Sequence, residues 1–235
     1  MPLKEAMSFT DHLAELRTRV IRILLVLVAA GSAGLVFTPR ILALLMAPYG
    51  SSLIVLGPTE SVSVYLRVAL ICGAAVTLPY ALFEIWGFVS PGLLPREKRY
   101  AFTLIPASLV LFLLGASFAW FVLVPTAIRF LAGFMPDLFK VQWTSDRYIP
   151  FVTSLLFWVG VCFELPLVVF YLAKLRILNA RLLLKAWRYA IVLIAIAAAV
   201  ITPTVDPFNM MLVALPLTAL YFLSVLVAAI ARKRG

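Results

Sequence analysis

Catalytic side chains are scarce in this sequence. One histidine, two cysteines and ten carboxylates are the whole stock for acid–base, nucleophilic or metal chemistry in 235 residues. HExxH, GxSxG and GxxxxGK[ST] do not occur, so zinc, serine and P-loop nucleotide chemistries lack their parts. An intramembrane aspartyl protease needs two facing aspartates, and only Asp206 lies close to an apolar run. No catalytic residues, no metal and no cofactor are therefore expected. Any work must draw on a partner or on the membrane potential. Cys72 and Cys162 stand far apart inside apolar runs with no CxxC, and read as small buried hydrophobes.

Charge is equally thin. Charged residues make up 13% of the chain, against about a quarter in a soluble domain. Hydrophobic residues make up 64%, and the mean hydropathy is +1.10. No soluble fold of this size has the interior to hide that much apolar surface. The chain is an integral membrane protein. Its apolar runs are continuous rather than alternating, which selects helices over a barrel. No cleavable leader is expected, because the first 22 residues carry acids, a histidine and four basic residues.

Six apolar segments read as membrane spans, near residues 21–38, 68–89, 100–131, 149–173, 189–201 and 208–230, against the about 20 residues that a helix needs to cross. The expected fold is all-α: one domain, residues 1–235, of six transmembrane helices. The fifth is short. Pro79, Pro106, Pro125, Pro166 and Pro216 lie inside spans and favour bends, which suits a concave bundle. Fifteen of the twenty basic residues fall in alternate flanks, on the side that holds both termini. That bias predicts both termini in the cytoplasm. It also explains the net charge of +10 without nucleic acid. Residues 39–66 suggest a short interfacial helix and a structured loop.

The informative polar residues are few. Glu164 sits in mid-span in Phe163-Glu164-Leu165-Pro166, where an ionised side chain costs several kcal/mol or more. It must meet protein, a water-filled cavity or a partner. Glu84 lies nearer the cytoplasmic end of the second span. Residues 1–20 form a cytoplasmic amphipathic helix, with Phe9, Leu13, Leu16 and Val20 on one stripe. Glu15 and Arg19 are spaced for a local ion pair, and Glu97 stands among bases in Pro95-Arg96-Glu97-Lys98-Arg99. Alternatively, Glu15 and Glu97 form one acidic recess on a basic face, suited to bind a guanidinium.

Four stretches together resemble the TatC family, the polytopic core of the twin-arginine protein translocase. They are His12-Leu13-Ala14-Glu15-Leu16-Arg17-Thr18-Arg19, the loop from Ser90 to Arg99, Phe163 to Pro166, and Thr202-Pro203-Thr204-Val205-Asp206-Pro207. The resemblance implies a receptor, not an enzyme, in the bacterial plasma membrane. It binds twin-arginine signal peptides of folded precursors at the cytoplasmic face. With TatA- and TatB-type single-span subunits it forms a multimeric complex, surrounded by lipid, that exports cargo on the protonmotive force. It implies signal-peptide contacts for Glu15, Glu97, Arg17 and His12. Glu164, Thr202, Asn209 and Asp206 match polar partner-binding positions, and Pro48 matches one tied to assembly. The chain departs from relatives in having two residues between Pro203 and Asp206, and in Glu84, where glutamine is frequent. A proton-coupled small-molecule transporter using Glu164 and Glu84 is the alternative. It has no need of the acidic recess, and no internal repeat is visible.

Overall fold

The computed structural model describes residues 9–50, 52–89, 95–135, 137, 141–202 and 206–233; for Phe9, Asp11, Val89, residues 95–103, Arg232 and Lys233 it describes the backbone alone. Among these residues the fold is all-helical. The helices are α1 (Phe9–Met46), α2 (Glu60–Val89), α3 (Pro95–Phe118), α4 (Val124–Ala132), α5 (Ser145–Phe163), α6 (Leu165–Lys174), α7 (Ala180–Lys185), α8 (Trp187–Ile201) and α9 (Pro207–Lys233). A π-helical turn, Ala119–Leu123, joins α3 to α4.

Length and apolarity explain most of these elements. Among the described residues five helical stretches are long and apolar enough to cross a membrane, and α8 is a shorter apolar helix of 15 residues. At about 1.5 Å per residue α8 spans about 22 Å, short of a hydrocarbon core of about 30 Å. α1 differs from the sequence-based expectation. The amphipathic segment and the first span are one uninterrupted helix of 38 residues. Residues 39–46, expected as part of a separate interfacial stretch, are its last turns. Pro39 does not break it.

Two prolines do shape the chain. Pro125 has no N–H for the carbonyl one turn back, and the turn before it widens into the π-helical segment. Pro166 likewise cannot bond the carbonyl of Cys162. The α5 helix ends there, and the Glu164 N–H bonds Val161 instead, at 3.0 Å. Glu164 thus stands at a break between two helices of one span.

The core lies between α2, the π-helical turn, α4 and α5, around Val68, Leu123, Val124, Tyr148, Ile149, Val152 and Leu155. α1 is peripheral: 6% of its most apolar window is buried, against 39% for the α5–α6 stretch. The remaining apolar surface needs lipid or partner helices. One end of the bundle is clasped by polar and aromatic contacts. The Tyr148 hydroxyl donates to the Leu45 carbonyl at 3.0 Å, and Tyr49 stacks on Trp143. The Ile54 N–H donates to the Trp143 carbonyl and the Ser145 N–H to that of Ile54, forming a single bridge between two loops. The opposite end gathers the start of α1, the end of α2, α7 and the end of α9, and is rich in arginine and lysine. There the Tyr221 hydroxyl donates to the Leu183 carbonyl at 2.6 Å, tying α9 to α7.

Candidate functional site

The basic end is organised by how closely α1 and α2 approach. They run antiparallel, and small residues line the crossing. A Cβ added to Gly73 would stand 2.6 Å from the Gly31 Cα, and one on Gly34 would stand 3.0 Å from the Ala69 carbonyl oxygen. Backbones meet that closely only where side chains are missing. The consequence appears three turns further along, where the polar face of α1 is pressed onto α2.

That face carries Glu15, Thr18, Arg19 and Arg22, which lie within two turns of each other. The guanidinium of Arg19 is the hub. Its Nε and Nη2 donate to Glu15 Oε1 at 3.1 and 2.6 Å. Its Nη1 donates to Glu84 Oε2 at 2.9 Å and to the Glu84 carbonyl at 3.1 Å. The Tyr80 hydroxyl donates to Glu84 Oε1 at 2.6 Å, and Arg22 Nη1 lies 3.8 Å from the same oxygen. Glu84 is buried, 5% of its side chain exposed, whereas Glu15 keeps 25% exposed. An open recess of about 370 Å³ runs along Ala14, Glu15, Thr18, Arg19 and Arg22. Charge-assisted, forked bonds of this kind are the strong ones, and burial of one acid strengthens them further.

The other residues singled out in the sequence stand as follows. The ring of His12 stacks on Phe88, centroids 4.2 Å apart, so it lies beside the recess at the end of α2. Arg17 is exposed and has no ion-pair partner among the described residues. Glu97 lies in the first turn of α3, and its side chain lies outside those described. The Glu15–Arg19 contact is the local ion pair that the spacing offered; Tyr80 and Glu84 were not expected to join it. Their signal was an acid near the end of an apolar run with no basic neighbour on its own helix, a charge that needs a distant cation.

A second polar position lies at the break between α5 and α6. The Ser108 hydroxyl donates to Glu164 Oε1 at 2.9 Å, and both residues are buried. Glu164 Oε2 has no partner among the described residues. A carboxyl group offers several acceptor sites, so one bond leaves most of this one unmet. Thr202 is buried, and its hydroxyl donates to the Ala198 carbonyl at 2.7 Å. Asp206 caps α9: its Oδ1 accepts from the Asn209 N–H at 2.7 Å and its Oδ2 from Asn209 Nδ2 at 2.9 Å. Residues 203–205 lie outside the described part. Pro48 is at the other end of the bundle. With Trp120, Phe121, Pro125, Ile128 and Arg129 it lines a groove of about 300 Å³. Among the described residues no cluster of His, Cys, Asp or Glu converges as a metal would need.

Known proteins are similar to this chain in sequence and fold. Residues 11–216 match the family described as Sec-independent protein translocase protein (TatC). The Sec-independent protein translocase protein TatC of Koribacter versatilis is 35% identical over 98% of this chain and 88% of its own length. The chloroplastic counterpart of Arabidopsis thaliana is 34% identical over 94% of this chain and 66% of its own length. A crystal structure of the twin arginine translocase receptor TatC superimposes with a TM-score of 0.85 at 32% identity, covering 94% of this chain and 99% of that one. The chain therefore belongs to the TatC family, whose members are multi-pass membrane components of a protein translocase and not enzymes.

Proposed function

We propose that this chain is the receptor subunit of a twin-arginine translocase, and that the recess at the basic end is where the signal peptide is recognised. The observation that carries the reading is the pair of acids held at 2.6 and 2.9 Å around one guanidinium, at the end of the bundle richest in positive charge. A basic rim repels a poorly aimed cationic tag, and only correctly placed carboxylates recover the cost of stripping water from it. Glu15 is the partly exposed acid of the recess, and Glu97 on the neighbouring helix is the second acid for an arginine pair. His12 and Arg17 border the approach.

The rest of the molecule fits the same reading. Both termini face the cytoplasm of a bacterial cell, and six spans cross its plasma membrane. Single-span subunits of the TatA and TatB type dock along α8 and α9, and their helices supply what Glu164 lacks. Thr202, Asp206 and Asn209 shape that surface, and Pro48 belongs to an assembly contact. Export is driven by the protonmotive force.

The test is photo-crosslinking of a twin-arginine precursor to the chain in membranes. Glu15→Ala with Glu97→Ala should abolish the crosslink while the protein remains inserted at normal levels. Undiminished crosslinking by the double variant would remove the recess from the mechanism.

A further inference from the structure

The recess is shaped around a guanidinium, and the one it holds belongs to the chain itself. Four bonds reach the Arg19 group: two from Glu15 Oε1, one from Glu84 Oε2 and one from the Glu84 carbonyl. The flat group lies against Gly87. A Cβ there would stand 2.3 Å from Nη1, 3.1 Å from Cζ and 3.2 Å from Nη2. Any side chain at position 87 would fill the space that the guanidinium uses. Two acids, a carbonyl and a gap in the helix surface match a planar fork of donors. A compact ammonium cannot reproduce that pattern.

The two acids play unequal parts. Glu84 is buried, and both its oxygens are engaged, by Arg19 and by Tyr80 with Arg22 nearby. It is the fixed end. Glu15 is partly exposed, and its Oε2 accepts no bond among the described residues. It is the open end. Two carboxylates face two guanidiniums here, Arg19 and Arg22. A guanidinium added between these two acids without displacement would crowd three cations around them. Exchange is the arrangement that keeps both charge and hydrogen bonds matched.

We infer that Glu15, Glu84 and Gly87 form a guanidinium-specific seat which Arg19 occupies at rest, and that an arginine of the incoming signal takes the place of Arg19 on Glu15. This rests on the receptor reading above. Arg19 is then a specificity-determining residue. An arginine replaces what it breaks, bond for bond. A lysine breaks the same bonds and restores only part of them. The resident side chain thereby widens the gap between a true signal and a merely basic one.

The experiment uses the full chain, purified in mild detergent. Thermal unfolding is followed with methylguanidinium or methylammonium chloride at equal ionic strength. Affinity is measured for a labelled twin-arginine signal peptide and its twin-lysine control. Arg19→Ala should be stabilised by methylguanidinium and not by methylammonium, while the unchanged protein responds alike to both. Adding Gly87→Val should abolish that stabilisation by filling the seat. Arg19→Ala should bind the twin-arginine peptide on the order of tenfold more tightly, because the competing occupant is gone. Its preference over twin-lysine should narrow. Arg19→Lys, which keeps the charge, should shift the same way by less, and serves if Arg19→Ala does not fold. Equal responses to the two salts, or weaker peptide binding by Arg19→Ala and Arg19→Lys, would overturn the inference. If the unchanged chain binds neither peptide, the receptor reading fails, and the salt comparison still decides whether the seat exists.

Discussion

Gly73 packs on Gly31 at backbone distance, so that a Cβ on Gly73 would stand 2.6 Å from the Gly31 Cα and 2.6 Å from the Gly31 nitrogen. The reverse does not hold: a Cβ on Gly31 would meet nothing within 4 Å. The recess at the end of the two helices depends on this one-sided contact.

Gly73→Ala should therefore separate α1 from α2, because neither backbone can move aside locally. The expected cost is about 1–3 kcal/mol, the usual range for overpacking. Gly31→Ala, on the facing helix, should be near neutral. Thermal midpoints in detergent compare the two. Equal losses would show that the crossing is not set by Gly73. Gly73→Ala should also weaken signal binding, since Glu15 on α1 and Glu84 on α2 no longer face one seat.

Replacing both arginines of the signal by lysine should reduce its affinity by more than about tenfold, because bidentate bonds to a carboxylate are lost. Titration of a labelled peptide measures it. Equal affinity of the two peptides would mean that the recess senses charge alone.

Glu164 and Ser108 should behave as a coupled pair. Ser108→Ala removes the donor at 2.9 Å and leaves a buried oxygen unmet, a loss of about 1–3 kcal/mol. In a Glu164→Leu background the same change should cost almost nothing. Glu164→Gln should leave the thermal midpoint unchanged and still lower export, as the proposed partner contact at this position requires. Full export by Glu164→Gln would confine the residue to packing.

At the far end, Glu60 gathers four donors: the N–H groups of Leu56, Gly57 and Asp146, and the Ser145 hydroxyl. Glu60→Ala should open the loop at residues 52–59 to limited proteolysis. Ser145→Ala removes one donor of the four and should act more weakly. A reversed order would mean that the clasp is carried by the aromatic stack of Tyr49, Trp143 and Tyr148 instead.

Much of this was legible before any coordinates. The all-helical membrane fold followed from continuous apolar runs, because a backbone in lipid must satisfy its own hydrogen bonds. The shortness of α8 was visible in the spacing between Tyr189 and Ile201. Glu164 stood out because a mid-span acid is costly. The extent of α1 was not legible. Its polar first turns and apolar middle read as two elements, with the span ending near residue 38 and residues 39–66 set apart from it. A single proline whose neighbours pack well is tolerated within a long helix.

Local spacing did determine that Glu15 can reach Arg19, because residues four apart share a helix face and the chemistry of the pair is complete at that range. It could not determine that Arg19 also holds Glu84, 65 residues away. That contact depends on where two helices cross and at what distance, which is decided by Gly31 and Gly73 touching far from the acids they bring together. Hydrophobic patterning names a helix and its apolar stripe; close packing chooses the neighbour, the register and hence which charges meet.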